Sequence, residues 1–92
     1  MKKINKKDLK ECFEQAKSAS AKYVAVSIET RGINGLEVII NPKENFTVKQ
    51  VYYEKAYTDD LVLKTYDGIR IRQFCWGDTF AELEAILNCK AE

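Results

Sequence analysis

The sequence predicts an α+β domain in the order α-ββ-α-ββ-α, with a four-stranded, mainly antiparallel sheet and the helices packed on one face. Three observations predict it. Asn34-Gly35 and Asp67-Gly68 each sit between apolar residues spaced two apart, the strongest short-range signal for a β-hairpin. Each hairpin is followed by a capping-box pattern, Thr47-Val48-Lys49-Gln50 and Thr79-Phe80-Ala81-Glu82, in which the first and fourth residues satisfy each other's free backbone N–H groups. An amphipathic run with its own cap precedes the first hairpin. The chain of 92 residues reads as a single domain over residues 1–92, and strand order is left open.

The first helix starts at Asn5, a good N-cap, with Asp8 favourable to the dipole and Ile4 and Leu9 at hydrophobic-staple spacing. Leu9, Cys12, Phe13 and Ala16 share its core face, and Ser18-Ala19-Ser20 is its exit. From Tyr23 to Thr30, Val24, Val26 and Ile28 alternate with Ala25, Ser27 and Glu29, a strand with one buried face. Leu36, Val38 and Ile40 repeat the pattern until Pro42 ends it. The next helix, Val48 to about Tyr57, carries Val48, Val51, Tyr52 and Lys55 on one face, with Phe46 and Val51 as its staple and Tyr53, Ala56 and Tyr57 flanking. Asp59-Asp60 ends it. After Gly77-Asp78, the last helix places Phe80, Leu83, Ile86 and Leu87 inward and stops near Asn88.

Register follows from asking which turn gathers the apolar residues. A two-residue loop at Asn34-Gly35 splits them. A three-residue loop, Ile33-Asn34-Gly35, pairs Gly32 with Leu36 and sets Val26, Ile28, Leu36, Val38 and Ile40 on one face. The same loop at Tyr66-Asp67-Gly68 pairs Thr65 with Ile69 and groups Leu61, Leu63, Ile69 and Ile71. Both loops predict positive φ at their glycines, Gly35 and Gly68.

The chemistry is sparse. There is no histidine, no metal-spaced cysteine set, no phosphate loop and no nucleophile with a base, so the expectation is a protein that is not an enzyme and has no catalytic residues, metal or cofactor. A formal charge of +1 speaks against a strongly basic nucleic-acid binder and equally against an acidic DNA mimic. No apolar run approaches a membrane span, and the basic start lacks the apolar region of a secretory signal. Cys12, Cys75 and Cys89 are odd in number and widely spaced, which implies free thiols in a reducing compartment. Cys12 and Cys75 fall on core positions and Cys89 near the surface. Asp59-Asp60 lacks the further oxygen ligands that a cation site needs.

One surface stands out. Opposite the Leu61, Leu63, Ile69 and Ile71 set lie Val62, Lys64, Arg70, Arg72, Phe74 and Trp76. Lys64, Arg70, Arg72, Phe74 and Trp76 are the candidate partner-binding residues, since interleaved cations and aromatics suit a protein hot spot or a stack of bases on phosphates. The alternative is that Phe74 and Trp76 pack beneath a helix while the cations stay solvated. In that case the site is to be sought on the helix bearing Tyr52, Tyr53 and Tyr57.

The run Ala21-Lys22-Tyr23-Val24-Ala25-Val26 through Val38-Ile39-Ile40-Asn41-Pro42-Lys43-Glu44-Asn45-Phe46 resembles small uncharacterised proteins of phages and prophages of low-GC Gram-positive bacteria. Tyr52-Tyr53-Glu54-Lys55-Ala56-Tyr57, Asp59-Asp60-Leu61 and Gly77-Asp78-Thr79-Phe80 share that resemblance. It implies an accessory protein, of anti-CRISPR or other anti-defence type, that binds and inhibits a bacterial host protein or protein–RNA complex in the cytoplasm. Direct nucleic-acid binding through the basic-aromatic strand face is the second reading.

Overall fold

A computed structural model describes residues 4–90, with side chains described through residue 87. The elements are α1 (Lys6–Ser18), β1 (Tyr23–Thr30), β2 (Leu36–Pro42), α2 (Phe46–Ala56, entered through a 3-10 turn at Lys43–Asn45), β3 (Ile69–Gly77) and α3 (Phe80–Lys90). The class is α+β, with three helices and a three-stranded antiparallel sheet in the order β2-β1-β3. β2 and β3 therefore run parallel to each other on either side of β1, and α2 lies in the connection between them.

The first helix follows its sequence closely. The Asn5 side chain accepts a hydrogen bond from the Asp8 N–H and the Asp8 carboxylate accepts one from the Asn5 N–H, both at 3.0 Å. Leu9, Cys12, Phe13 and Ala16 are buried. At the exit Ser20 adopts φ 54, the Ala21 N–H donates to the Ala16 carbonyl and the Ser20 N–H to that of Lys17. These are the two bonds of a Schellman stop, with serine where glycine is usual.

The sheet is covered on both sides, which corrects the expectation of helices on one face. Val24, Val26, Ile28 and Ile71 pack with α1 and α2 around Phe13, Phe46, Tyr53, Tyr57 and Leu61. Ala25 and Cys75, on the opposite face, pack against Leu83 and Leu87 of α3. Five consecutive residues of β1, Val24 to Ile28, are buried. Small side chains on the second face let α3 approach, and Ala25 and Ser27 are buried there instead of solvated.

That second face also explains the register of the first hairpin. Val26 pairs with Ile39 and Ser27 with Val38, so Val26 and Val38 lie on opposite faces and the expected pairing of Gly32 with Leu36 does not form. Gathering all apolar residues onto one side was the wrong criterion for a sheet buried on both. Gly35 does have positive φ, at 86. Gly32 has it too, in a turn closed by the Ile33 N–H on the Thr30 carbonyl.

The expected strand from Leu61 to Thr65 is reduced to isolated bridges, Tyr57 with Leu63 and Val62 with Arg70. A tight turn ends on Leu61, held at φ 66 by the bond from its N–H to the Thr58 carbonyl, and further turns begin at once, with the Tyr66 N–H on the Leu63 carbonyl. Too few extended residues remain between them for a strand. Leu61 and Ile71 are nonetheless buried together, as their spacing implied, with Leu63 and Ile69 half-buried beside them. Gly68 is not among the positive-φ glycines. Its lack of a side chain instead makes room for the Tyr66 ring, which a Cβ would meet.

A β-bulge breaks β3. Ser27 pairs with Gln73 but Ile28 with Ile71, leaving Arg72 as the additional residue. Side chains after Arg72 are therefore inverted relative to those before it.

Tyr53 and Tyr57 bring their rings into the core, 5.8 Å apart, with Phe13 6.1 Å from Tyr53. Burial, then the neighbouring Tyr52 and Tyr53 phenols, pushes the Tyr57 hydroxyl up to about 12. Burial raises Tyr53 as well. A folded-state value above the unfolded one near 10 means that the native state holds its proton longer. Stability from this source is intact below pH 10 and is lost as pH rises toward 12. Denaturant titrations across that window should show a downward slope that Tyr57→Phe reduces.

Candidate binding surface

The structure separates the five residues that the sequence grouped on one face. Arg70 precedes the bulge, half-buried, and bridges to Val62. Arg72 stands at the bulge with its guanidinium 3.9 Å from the Glu29 carboxylate. Lys64 is exposed in the following loop, where its backbone N–H donates to the Ala56 carbonyl. Phe74 and Trp76 lie past the bulge on the face that carries Ile69 and Ile71, half-buried against the α1–α2 core. The Trp76 indole N–H donates to Oε1 of Gln15 on α1 at 3.3 Å. The cleft they line also contains Asp8, Glu11 and Glu82, and carboxylates beside the rings oppose a phosphate backbone there.

An exposed apolar surface lies on α2. Its helical phase begins earlier than the sequence implied: Phe46 is the first helical residue, Asn45 is the N-cap without a side-chain bond, and Thr47 does not cap. Starting from Phe46, the buried positions are Phe46, Tyr53 and then Tyr57 at the C-cap. The face that carries Val48, Val51 and Tyr52 points outward, and the flanking Tyr53 and Tyr57 point inward. Val48 is 69% exposed, Val51 49% and Tyr52 47%, one turn apart on a single face. Apolar side chains cluster this way at binding surfaces more often than on inert ones. The signal that would have found this phase is the seven-residue spacing of Phe46 and Tyr53.

Cations frame the stripe. Lys49 stands with its ammonium 5.6 Å from the Tyr52 ring centre, a cation–π geometry. Between α1 and α2 runs a groove of about 450 Å³ whose lining includes Lys6, Lys10, Lys17 and Lys55, one carboxylate, Glu54, and Val51. Two of its lysines are tied down: Lys6 donates to the Glu54 carbonyl and Lys17 to Oε1 of Gln50, each at 2.8 Å. The Gln50 amide in turn donates to Glu14 at 2.9 Å, and this bond first, then Lys17, holds the Glu14 carboxyl below its ordinary value. Lys10 and Lys55 form no salt bridge among the described residues.

The remaining candidates are structural. Cys12 and Cys75 are buried, Cys75 against α3, and the side chain of Cys89 lies outside the described residues, as do Lys2 and Lys3. Phe80 is exposed, not inward, and its ring lies 5.0 Å from Tyr23. Thr79 accepts from the Glu82 N–H as expected of its cap, while α3 runs past Asn88 to Lys90. Among the described residues no three His, Cys, Asp or Glu side chains are grouped to hold a metal, and no helix is long and apolar enough to cross a membrane. Comparison with protein-family models, with curated proteins and with solved structures returns no match.

Proposed function

We propose that this chain is a non-enzymatic binding protein that acts by contact with another protein, and that the outward face of α2 is its contact surface. The observation that carries this reading is the exposed stripe Val48, Val51 and Tyr52, flanked by Lys49 and Lys55. An apolar centre with a cationic rim fits a partner surface that offers apolar side chains edged by carboxylates. The resemblance to phage accessory proteins supplies the setting: an inhibitor or modulator of a host protein in the bacterial cytoplasm, a CRISPR nuclease complex included.

Tyrosine in a small interface contributes about 2 kcal/mol when it is a hot spot, or about 30-fold in affinity. Tyr52→Ala combined with Val51→Asp should therefore abolish capture of a specific host protein from lysate. The melting temperature should change little, because neither side chain belongs to the core. Capture unaffected by this pair would refute the α2 surface. Recovery of nucleic acid of any sequence, lost steeply with added salt, would replace the reading with that of a nucleic-acid-binding accessory protein.

A further inference from the structure

We propose that β2 pairs along its outer edge with β2 of a second copy of this chain, about a two-fold axis through Val38. The surface is separate from α2 and does not depend on the reading of that helix. β2 is an edge strand, and its outward hydrogen-bonding groups can be assigned. The Lys43 N–H donates to the Lys22 carbonyl at 2.8 Å, which continues the β1–β2 register by one pair. Because bonded and non-bonded pairs alternate in an antiparallel ladder, Val24 with Asn41, Val26 with Ile39 and Ile28 with Glu37 are the bonded pairs. Leu36, Val38 and Ile40 consequently turn both N–H and C=O away from β1.

Natural edges avoid self-pairing with lysines, prolines or bulges. This strand has no lysine, no bulge against β1 and no proline before its last residue, and Glu37 is its single charge. Its exposed apolar residues, Leu36 at 42% and Val38 at 45%, lie on the α3 side of the sheet beyond the reach of α3.

An isologous contact requires one patch to complement itself, and this edge does. With Val38 opposite the partner's Val38, Leu36 faces the partner's Ile40, and the outward groups of all three residues find partners. Glu37 faces the partner's Ile39, so no like charges are directly opposed. Ile40 packs against the buried cluster of Ala25, Cys75, Leu83 and Leu87, so Leu36 extends the partner's apolar layer. A stranger's strand would have to match this spacing, whereas a second copy matches it by symmetry.

Sedimentation equilibrium of the full chain from micromolar to millimolar concentration tests this. A concentration-dependent dimer is expected, weakened about 100-fold or more by Val38→Lys, which places two cations on the axis. The variant should retain the wild-type melting profile. Hydrogen exchange on the unmodified chain provides a readout free of any folding defect: the amides of Leu36, Val38 and Ile40 should slow as concentration rises. A chain monomeric throughout the range, or a dimer in which those amides remain unprotected, would overturn the proposal. A dimer abolished by Tyr52→Ala and untouched by Val38→Lys would overturn it as well, and would move self-association to α2.

Discussion

Phe13→Ala is expected to lower stability by about 3–5 kcal/mol, the largest effect of any single truncation in this chain. Phe13 is fully buried, and its ring meets Phe46 edge-on at 5.7 Å and Tyr53 at 6.1 Å. It therefore joins α1 to both ends of α2. Alanine removes the transfer energy of the ring and leaves a cavity, and it forfeits aromatic contacts worth roughly 0.5–1.5 kcal/mol each. In a domain of this size the melting temperature should drop by roughly 12 °C or more. A loss below about 1.5 kcal/mol by denaturant titration would mean that the two helices close over the gap.

The second large effect is expected at Asn41, which is fully buried at the end of β2. Its amide N–H donates to the Val24 carbonyl at 3.1 Å, while its Oδ1 has no hydrogen-bond partner among the described residues. Asn41→Asp would set a carboxylate against that carbonyl with water excluded, at a cost of several kcal/mol near neutral pH. Burial raises the carboxyl above its unfolded value, so the folded state favours the protonated form. The penalty is therefore full well above that raised value and eases as pH falls through it toward the unfolded value near 4. The protonated acid can again donate to Val24. Denaturation of the variant and the parent at pH 7 and at pH 4 should show the gap narrowing at the lower pH. A gap that stays constant would mean that the new side chain escapes to solvent.

How much of this could be read beforehand differs by element. α1 was legible from cap to core face because Asn5, Asp8 and the Leu9–Ala16 spacing all act within one helix. β1 and β2 were legible as strands, since alternation and Pro42 are local signals too. Their register was not, because it depends on α3 lying over Ala25 and Cys75, a contact between residues fifty positions or more from α3 in one case and adjacent to it in the other. α2 had its stripe of residues legible but not which side of the helix is buried, because Val48, Val51 and Tyr52 are as apolar as Phe46, Tyr53 and Ala56, and only tertiary packing chooses between them. The basic-aromatic face was dissolved by one residue, Arg72, whose insertion no side-chain pattern announced. The contact surface proposed here lies instead on the tyrosine-bearing helix, which the sequence offered as the second place to look.

That one residue has a wider meaning for how the chain can vary. An edge strand that must serve helices on both its sides faces conflicting demands, bulk toward α1 and a thiol-sized group toward α3. The bulge works as a change of parity: odd-numbered Ile69 and Ile71 and even-numbered Phe74 and Trp76 all reach the same side, while Cys75 reaches the other. Losing a codon within Lys64–Gly68 would merely shorten a loop. Losing the codon for Arg72 would set Ile71 directly before Gln73 against Ile28 and Ser27, so the strand would straighten with each side chain kept on its present face, and the bulge is the place where this strand can change length without rewriting the core.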